Sequence, residues 1–149
     1  MPGGASRRPP RGSPAPRGTQ PARARTAARL LLVEHDPGVH AVVRAILEAH
    51  GYAVDGAYTA TQARARLEHV TPVAALIDLV LPDASGLELC RTLRTRPATR
   101  KLPVLVLCGR CRRGDDERAC LAGADRFHTL PFDERAVLDW LDHLPLDAA

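Results

Sequence analysis

Three short apolar runs in this 149-residue chain each lead into residues able to do chemistry. Leu30–Val33 is followed by Glu34, His35 and Asp36, Val73–Ile77 by Asp78, and Pro103–Leu107 by Cys108. A carboxylate such as Asp78 can act as a modest nucleophile. Cys108-Gly109-Arg110-Cys111 has the CxxC spacing of redox motifs in α/β chains. Arg110, Arg112 and Arg113 could lower the pKa of a nearby thiol. With His35 and Asp78 across a crevice, the thiols could also form a soft metal site. The plainer reading takes Cys108 as a small strand-end residue and Cys111 as a loop residue, since a single CxxC is a weak signal.

The elements that must position these residues follow from periodicity. Leu30–Val33 is apolar throughout, as in a strand buried on both faces. Asp36 then Pro37 reads as an N-cap followed by proline at the first helical position. That helix runs to about His50, with Val39, Val42, Val43, Ile46 and Leu47 on one stripe, and Gly51 ends it. Tyr52-Ala53-Val54 reads as a weak second strand, and Thr59 can cap a second helix through Ala63 and Leu67. Val73–Ile77 is the third strand, and Gly86 to Leu93 the third helix. Pro103–Leu107 is the fourth strand, and Asp115–Leu121, stopping at Gly123, the fourth helix. Arg126–Thr129 is a short fifth strand, and Glu134–Leu144 a last amphipathic helix with Val137, Leu138, Trp140 and Leu141. Alternating strands and helices imply a parallel sheet with right-handed crossovers. Such sheets place their sites at the carboxyl ends of the strands. That rule brings Glu34, His35, Asp36, Asp78 and Cys108 to one crevice.

Composition bounds the setting. Hydrophobic residues are 45% and aromatics 3%, so the core must be built of Leu, Val and Ala. No apolar run approaches the roughly 18 residues a membrane helix needs. The basic N-terminus lacks the apolar stretch of a secretory signal, so a cytoplasmic location is expected. Four cysteines (Cys90, Cys108, Cys111, Cys120) at no framework-like spacing fit reduced thiols. The net charge of +4 divides unevenly: residues 1–29 hold seven Arg and no acid, and the remainder 14 Lys+Arg against 17 Asp+Glu. Residues 1–28, rich in Pro, Gly, Arg, Ser and Ala, cannot bury enough surface to offset their ordering entropy and are expected to be disordered. Such a tail is a poorly constrained extension, a non-specific tether for nucleic acid, or, less well matched because of its prolines, a transit peptide.

Four segments, Leu30–Pro37, Leu76–Gly86, Leu102–Cys108 and Gly123–Phe132, resemble in order and spacing the receiver domain of bacterial response regulators. The second is the most specific, with Asp78 after an apolar strand, Pro82 four residues on and Gly86 eight on. The resemblance spans residues 30 to about 144. It implies a flavodoxin-like, doubly wound five-stranded parallel sheet in the order 2-1-3-4-5 with five helices, over residues 29–146. It implies that Asp78 accepts a phosphoryl group from a histidine kinase or phosphotransfer protein as an acyl phosphate. Mg²⁺ and a fixed cation offset the charge in that reaction. The family supplies an acidic pair after the first strand, a backbone carbonyl two residues past the acceptor, a Ser/Thr after the fourth strand and a Lys after the fifth.

Carried over position by position, Glu34 matches the first acid and His35 stands at the second, a metal-ligand position. Mg²⁺ prefers oxygen ligands, so an imidazole there suits it poorly. Asp36 is adjacent but committed to capping. Val80 offers the backbone carbonyl. Cys108 replaces the Ser/Thr, Leu130 the Lys, and Phe127 matches the aromatic switch. The Leu130–Pro131 bond is a candidate cis peptide. With these replacements, phosphorylation of Asp78 is expected to be weak or absent and the Mg²⁺ site weak or lost. The resemblance also implies a protein partner on the face made by helix 4, strand 5 and helix 5, and no output domain of its own is expected.

Other readings stand beside this one. Asp78 would be a solvated carboxylate capping the third helix in a purely structural account. A phosphatase using Asp78 would need a second acid where Val80 stands, a catalytic Lys and a substrate cap. A phosphorylation-independent receiver sensing redox state or metal through Cys108 and Cys111 is the remaining alternative.

Overall fold

The computed structural model describes residues 28–144. The disorder expected for the basic N-terminal stretch, and the expected domain limit at 146, lie outside the described residues. Five strands, β1 (Arg29–Val33), β2 (Ala53–Ala57), β3 (Ala74–Asp78), β4 (Val104–Cys108) and β5 (Arg126–Thr129), alternate with five helices. These are α1 (Pro37–Ala49), α2 (Ala60–Leu67), α3 (Gly86–Thr95), α4 (Asp115–Leu121) and α5 (Glu134–Asp142). All strands are parallel, in the order β2-β1-β3-β4-β5.

The apolar runs are explained by cover on both faces of the sheet. Leu31, Val33, Ala75, Ile77, Val104 and Val106 point to one face, against Ala63 of α2, Leu89 and Leu93 of α3 and Ala119 of α4. Leu30, Leu32, Leu76, Leu105 and Leu107 point to the other, against Val43 and Leu47 of α1 and Val137, Leu138 and Leu141 of α5. Trp140 packs half-buried against this second core, as expected. Burying one such leucine contributes about 2 kcal/mol, so small aliphatic side chains in number replace the missing aromatics.

Several boundaries differ from expectation for physical reasons. β2 does not stop at Val54 but runs through Asp55 and Gly56 to Ala57, paired with Leu31, Leu32 and Val33. A charged residue and a glycine concealed it; Asp55 is accommodated at this edge by a two-pronged contact from Arg29, at 2.9 and 3.0 Å. Asp78 and Cys108 close their strands rather than follow them. Helix α5 ends at Asp142, two residues early. On α1 the buried row is His40, Val43 and Leu47, whereas Val42, expected on the stripe, is 57% exposed. Val42 lies roughly a third of a turn from that row. Gly51 and Gly123 both take positive φ after their helices, as expected of helix-ending glycines.

Two side chains tie separate segments together. Arg94 of α3 donates to the carbonyls of Leu102 at 2.6 Å and Gly123 at 2.7 Å, and to Asp125 at 3.1 Å. It thereby secures the starts of β4 and β5. Asp83, in the β3–α3 loop, accepts hydrogen bonds from the backbone N–H groups of Ala60 and Thr61, each at 2.9 Å, and from the Thr61 hydroxyl at 2.7 Å. It caps α2 from a distant segment, beside the local cap Thr59.

The hydrogen bonds from Ala60 and Thr61 hold the Asp83 carboxyl down, from 3.8 to about 2. A depressed folded-state value means the contribution is whole above pH 3.8 and is lost as pH falls through about 2. Chemical denaturation of Asp83→Asn should therefore show a stability deficit that is constant from neutral pH to about 5 and narrows towards pH 2. A deficit independent of pH would assign the effect to something other than the carboxylate.

Candidate functional site at the β1–β3 crevice

Strand order reverses at β1: the chain moves from β1 outward to β2, then back across to β3. The ends of β1 and β3 therefore border the crevice where open α/β sheets place their ligands. Val33 is in register with Ile77, so Glu34 and Asp78 leave the sheet side by side. The Glu34 N–H still donates to the Ala57 carbonyl at 3.0 Å, which holds this residue to the sheet before α1 begins.

Glu34 is 2% exposed. Its Oε1 accepts from the Asp36 N–H at 3.1 Å, and its Oε2 has no hydrogen-bond partner among the described residues. Burial pushes the Glu34 carboxyl up to about 7, opposed by the Asp36 N–H and reinforced by the neighbouring Asp78 charge. Asp36 is spent on capping α1, accepting from Gly38 N at 2.8 Å and Val39 N at 3.1 Å, as expected.

Asp78 is 6% exposed. Its Oδ1 accepts from the Val80 N–H at 3.1 Å. Its Oδ2 is in direct hydrogen-bond contact with Nδ1 of His35, whose ring also lies 3.6 Å from Glu34 Oε1. The hydrogen bond to Asp78 raises the His35 pKa; burial opposes it, and the charges of Asp78, Glu34 and Asp36 add to the rise. Among the described residues the group facing Asp78 is thus His35, and no Lys or Arg is ion-paired with it. Asp78 does not cap α3 through its side chain: Ser85 does, accepting from Leu87 N at 3.1 Å.

The loop after β3 is held close by Gly86. Its N–H donates to the Leu79 carbonyl at 2.8 Å. A Cβ at this position would stand 2.1 Å from the Asp78 carbonyl oxygen. A hydrogen at Gly86 is what lets α3 begin against the backbone of Asp78. Asp83 then fixes the other side of the same loop to α2.

The remaining expected site residues are placed differently. Cys108 is 1% exposed and belongs to the core under α3 and α4. It is paired with Cys111 as a disulfide, with Cα atoms 5.7 Å apart. This corrects two expectations, four reduced thiols and a metal site joining the cysteines to His35 and Asp78. The metal-competent group among the described residues is Glu34, His35 and Asp78, without a cysteine. Cys90 and Cys120 are free. Leu130 packs half-buried against the α1–α5 core, and Phe127 half-buried against the other. The Leu130–Pro131 peptide is cis. Val80 is 62% exposed.

Sequence reasoning missed His40. It is 1% exposed, its Nδ1 lies 3.0 Å from the Glu34 carbonyl, and its ring stacks on Tyr58 with centroids 4.2 Å apart. The signal was present, since positions 40, 43 and 47 share one helical face. His40 steadies the peptide that presents Glu34.

A buried carboxylate pair thus stands at the switch point of a doubly wound parallel sheet, where such folds bind their ligands. Residues 30–142 match the response regulator receiver domain family. The chain belongs to that family. It is 36% identical over 104 residues to the phosphate regulon transcriptional regulatory protein PhoB of Rhizobium meliloti (strain 1021), covering 70% of this chain and 46% of that protein. The chain thus spans about half the length of the curated relatives it matches. The signal receiver domain of a histidine kinase from Syntrophus aciditrophicus superposes with a TM-score of 0.75 at 27% identity, covering 82% of this chain and 94% of that one. A sensor histidine kinase receiver domain from Pseudomonas aeruginosa PAO1, solved with a magnesium ion in its active-site cleft, gives 0.73 at 28% identity, covering 78% and 96%. No helix of the described residues is long and apolar enough to cross a membrane.

Gly86→Ala should destabilise the domain by about 3 kcal/mol, the upper end of an overpacking change, because the obstructing atom is backbone. Thermal unfolding would read this, and the neighbouring Ser85→Ala should cost only about 1 kcal/mol as the loss of a helix cap. Equal effects of the two would remove the close-approach argument.

Proposed function

We propose that this chain is a signalling receiver that acts through protein contacts, with Asp78 as an attenuated phosphoacceptor. The contact between His35 and Asp78 Oδ2 carries this reading. Attack on phosphorus needs an accessible carboxylate oxygen, and here the His35 ring stands directly against Oδ2 while the Val80 N–H engages Oδ1. The family's cation position holds Leu130, packed into the core. The Ser/Thr position holds Cys108, turned into the core and bonded to Cys111.

Magnesium fits the donor set poorly. Glu34, Asp78 and the Val80 carbonyl are oxygen donors, but His35 stands in the cluster with an imidazole that suits a hard cation badly. Weak or lost Mg²⁺ binding follows. The input partner on this reading is a histidine kinase or phosphotransfer protein, and the output partner docks on α4, β5 and α5. Leu121 of α4, 86% exposed, supports an apolar contact there. A cytoplasmic setting goes with this reading.

Each missing charge-assisted contact removes about 1.5–3 kcal/mol of stabilisation, so phosphorylation should run on the order of 100-fold or more slower than with an intact set. Incubation with a small phosphodonor and Mg²⁺, read by intact mass, should leave the chain largely unmodified. His35→Asp combined with Leu130→Lys should restore an adduct that Asp78→Asn abolishes. A stoichiometric adduct on the unaltered chain, lost in Asp78→Asn, would show an ordinary phosphoacceptor.

The Cys108–Cys111 pairing supports a second reading, a receiver whose β4–α4 loop responds to redox state. Thiol titration of the denatured chain should then count two thiols before reduction and all four cysteines after it. Four thiols before reduction, in protein purified without reductant, would dismiss that reading.

A further inference from the structure

We propose that Glu34, His35 and Asp78 form a site for a borderline transition-metal dication of the Co²⁺, Ni²⁺ or Zn²⁺ kind, selected over magnesium by the His35 imidazole. The proposal goes beyond the signalling reading and does not depend on phosphotransfer.

Three residues each contribute one ligand atom, and these atoms all lie within 4.8 Å of one another. The set is two carboxylate oxygens and one imidazole nitrogen. Imidazole suits zinc, nickel, copper and iron, whereas magnesium calls for oxygen donors in near-octahedral geometry. A dication with two carboxylates and a neutral imidazole leaves the site without net charge.

Glu34 supplies an independent observation. It is 2% exposed, one oxygen is held by the Asp36 N–H, and Oε2 has no hydrogen-bond partner among the described residues. A buried carboxylate oxygen without a donor calls for a missing partner, an ion among the possibilities. Here it belongs to a residue of the metal-competent cluster.

The mechanical requirements are met as well. Ligand atoms around such a metal stand about 3 Å apart, given metal–ligand distances of about 2.0–2.2 Å. His35 Nδ1 lies closer than that to Asp78 and 3.6 Å from Glu34, so the ring must withdraw slightly. Its side chain is 46% exposed and has solvent to withdraw into. The two carboxylates stay in place, held by the N–H groups of Asp36 and Val80.

The test is calorimetric titration of the full chain with CoCl₂, NiCl₂ and MgCl₂, in a Cys120→Ser background that removes the exposed free thiol, with the Cys108–Cys111 pair left oxidised. Co²⁺ should bind at one ion per chain, at least about 100-fold tighter than Mg²⁺, with a visible d–d spectrum of nitrogen and oxygen ligation. His35→Asp should narrow the Co²⁺/Mg²⁺ ratio by about tenfold or more, by weakening Co²⁺ and strengthening Mg²⁺. Glu34→Gln, folded by circular dichroism, should weaken both. The proposal is overturned if His35→Asp leaves the ratio unchanged. It is equally overturned if the folded chain binds no stoichiometric Co²⁺, which would make the His35 ring the permanent counter-charge of the crevice.

Discussion

Two carboxylates delivered side by side by adjacent parallel strands require a positive charge between them. At the ends of β1 and β3 that requirement falls on Glu34 and Asp78, both almost fully buried. Water cannot screen the pair, so either a carboxyl takes up a proton or a cation enters. The structure shows both responses. Burial moves Glu34 up to about 7, and His35 places its ring against Asp78. An imidazole on the chain itself answers a demand that an acidic side chain at the same position would have increased.

The scaffold fixes the demand rather than the answer. Register pairs Val33 with Ile77, and that pairing alone commits residues 34 and 78 to one crevice. The Gly86 contact with the Asp78 carbonyl and the Asp83 bridge to α2 keep the following loop from drifting away. His40, underneath, holds the Glu34 carbonyl. None of these residues contributes a group to the cluster itself. They keep its carboxylates close.

Legibility from sequence followed the same division. Uniformly apolar strands, the Asp36–Pro37 cap and the helix-ending glycines announced the parallel sheet and its switch point, because each rests on local chemistry. β2 was half hidden, because Asp55 and Gly56 are tolerated only through an edge pairing and an Arg29 contact that no local window reveals. The meeting of Glu34, His35 and Asp78 was predictable from strand ends, but the direction of the His35 ring was not. Cys108 illustrates the limit most clearly. Its position at a strand end suggested a group facing the crevice, whereas its side chain joins the core and bonds to Cys111. Alternation along a strand decides facing, and a one-residue uncertainty at the strand end reverses it.

On the proposed reading, His35, Cys108 and Leu130 act in the same direction. Leu130 and Cys108 both turn towards apolar cores, one on each face of the sheet, and add packing where a polar site would have needed solvation. On the proposed reading, that withdraws two groups a phosphoryl oxygen would have met. His35 is the opposite case, an exposed residue turned inward to engage the carboxylates. On the proposed reading, the crevice offers few donors to an incoming anion and one nitrogen ligand to a cation. Fold membership fixes where chemistry can occur, but the sign and softness of what the crevice attracts are set by these side chains. A carboxylate pair with an imidazole between them and, among the described residues, no Lys or Arg ion-paired with Asp78 is better arranged to hold a positive charge than to stabilise a transferred negative one.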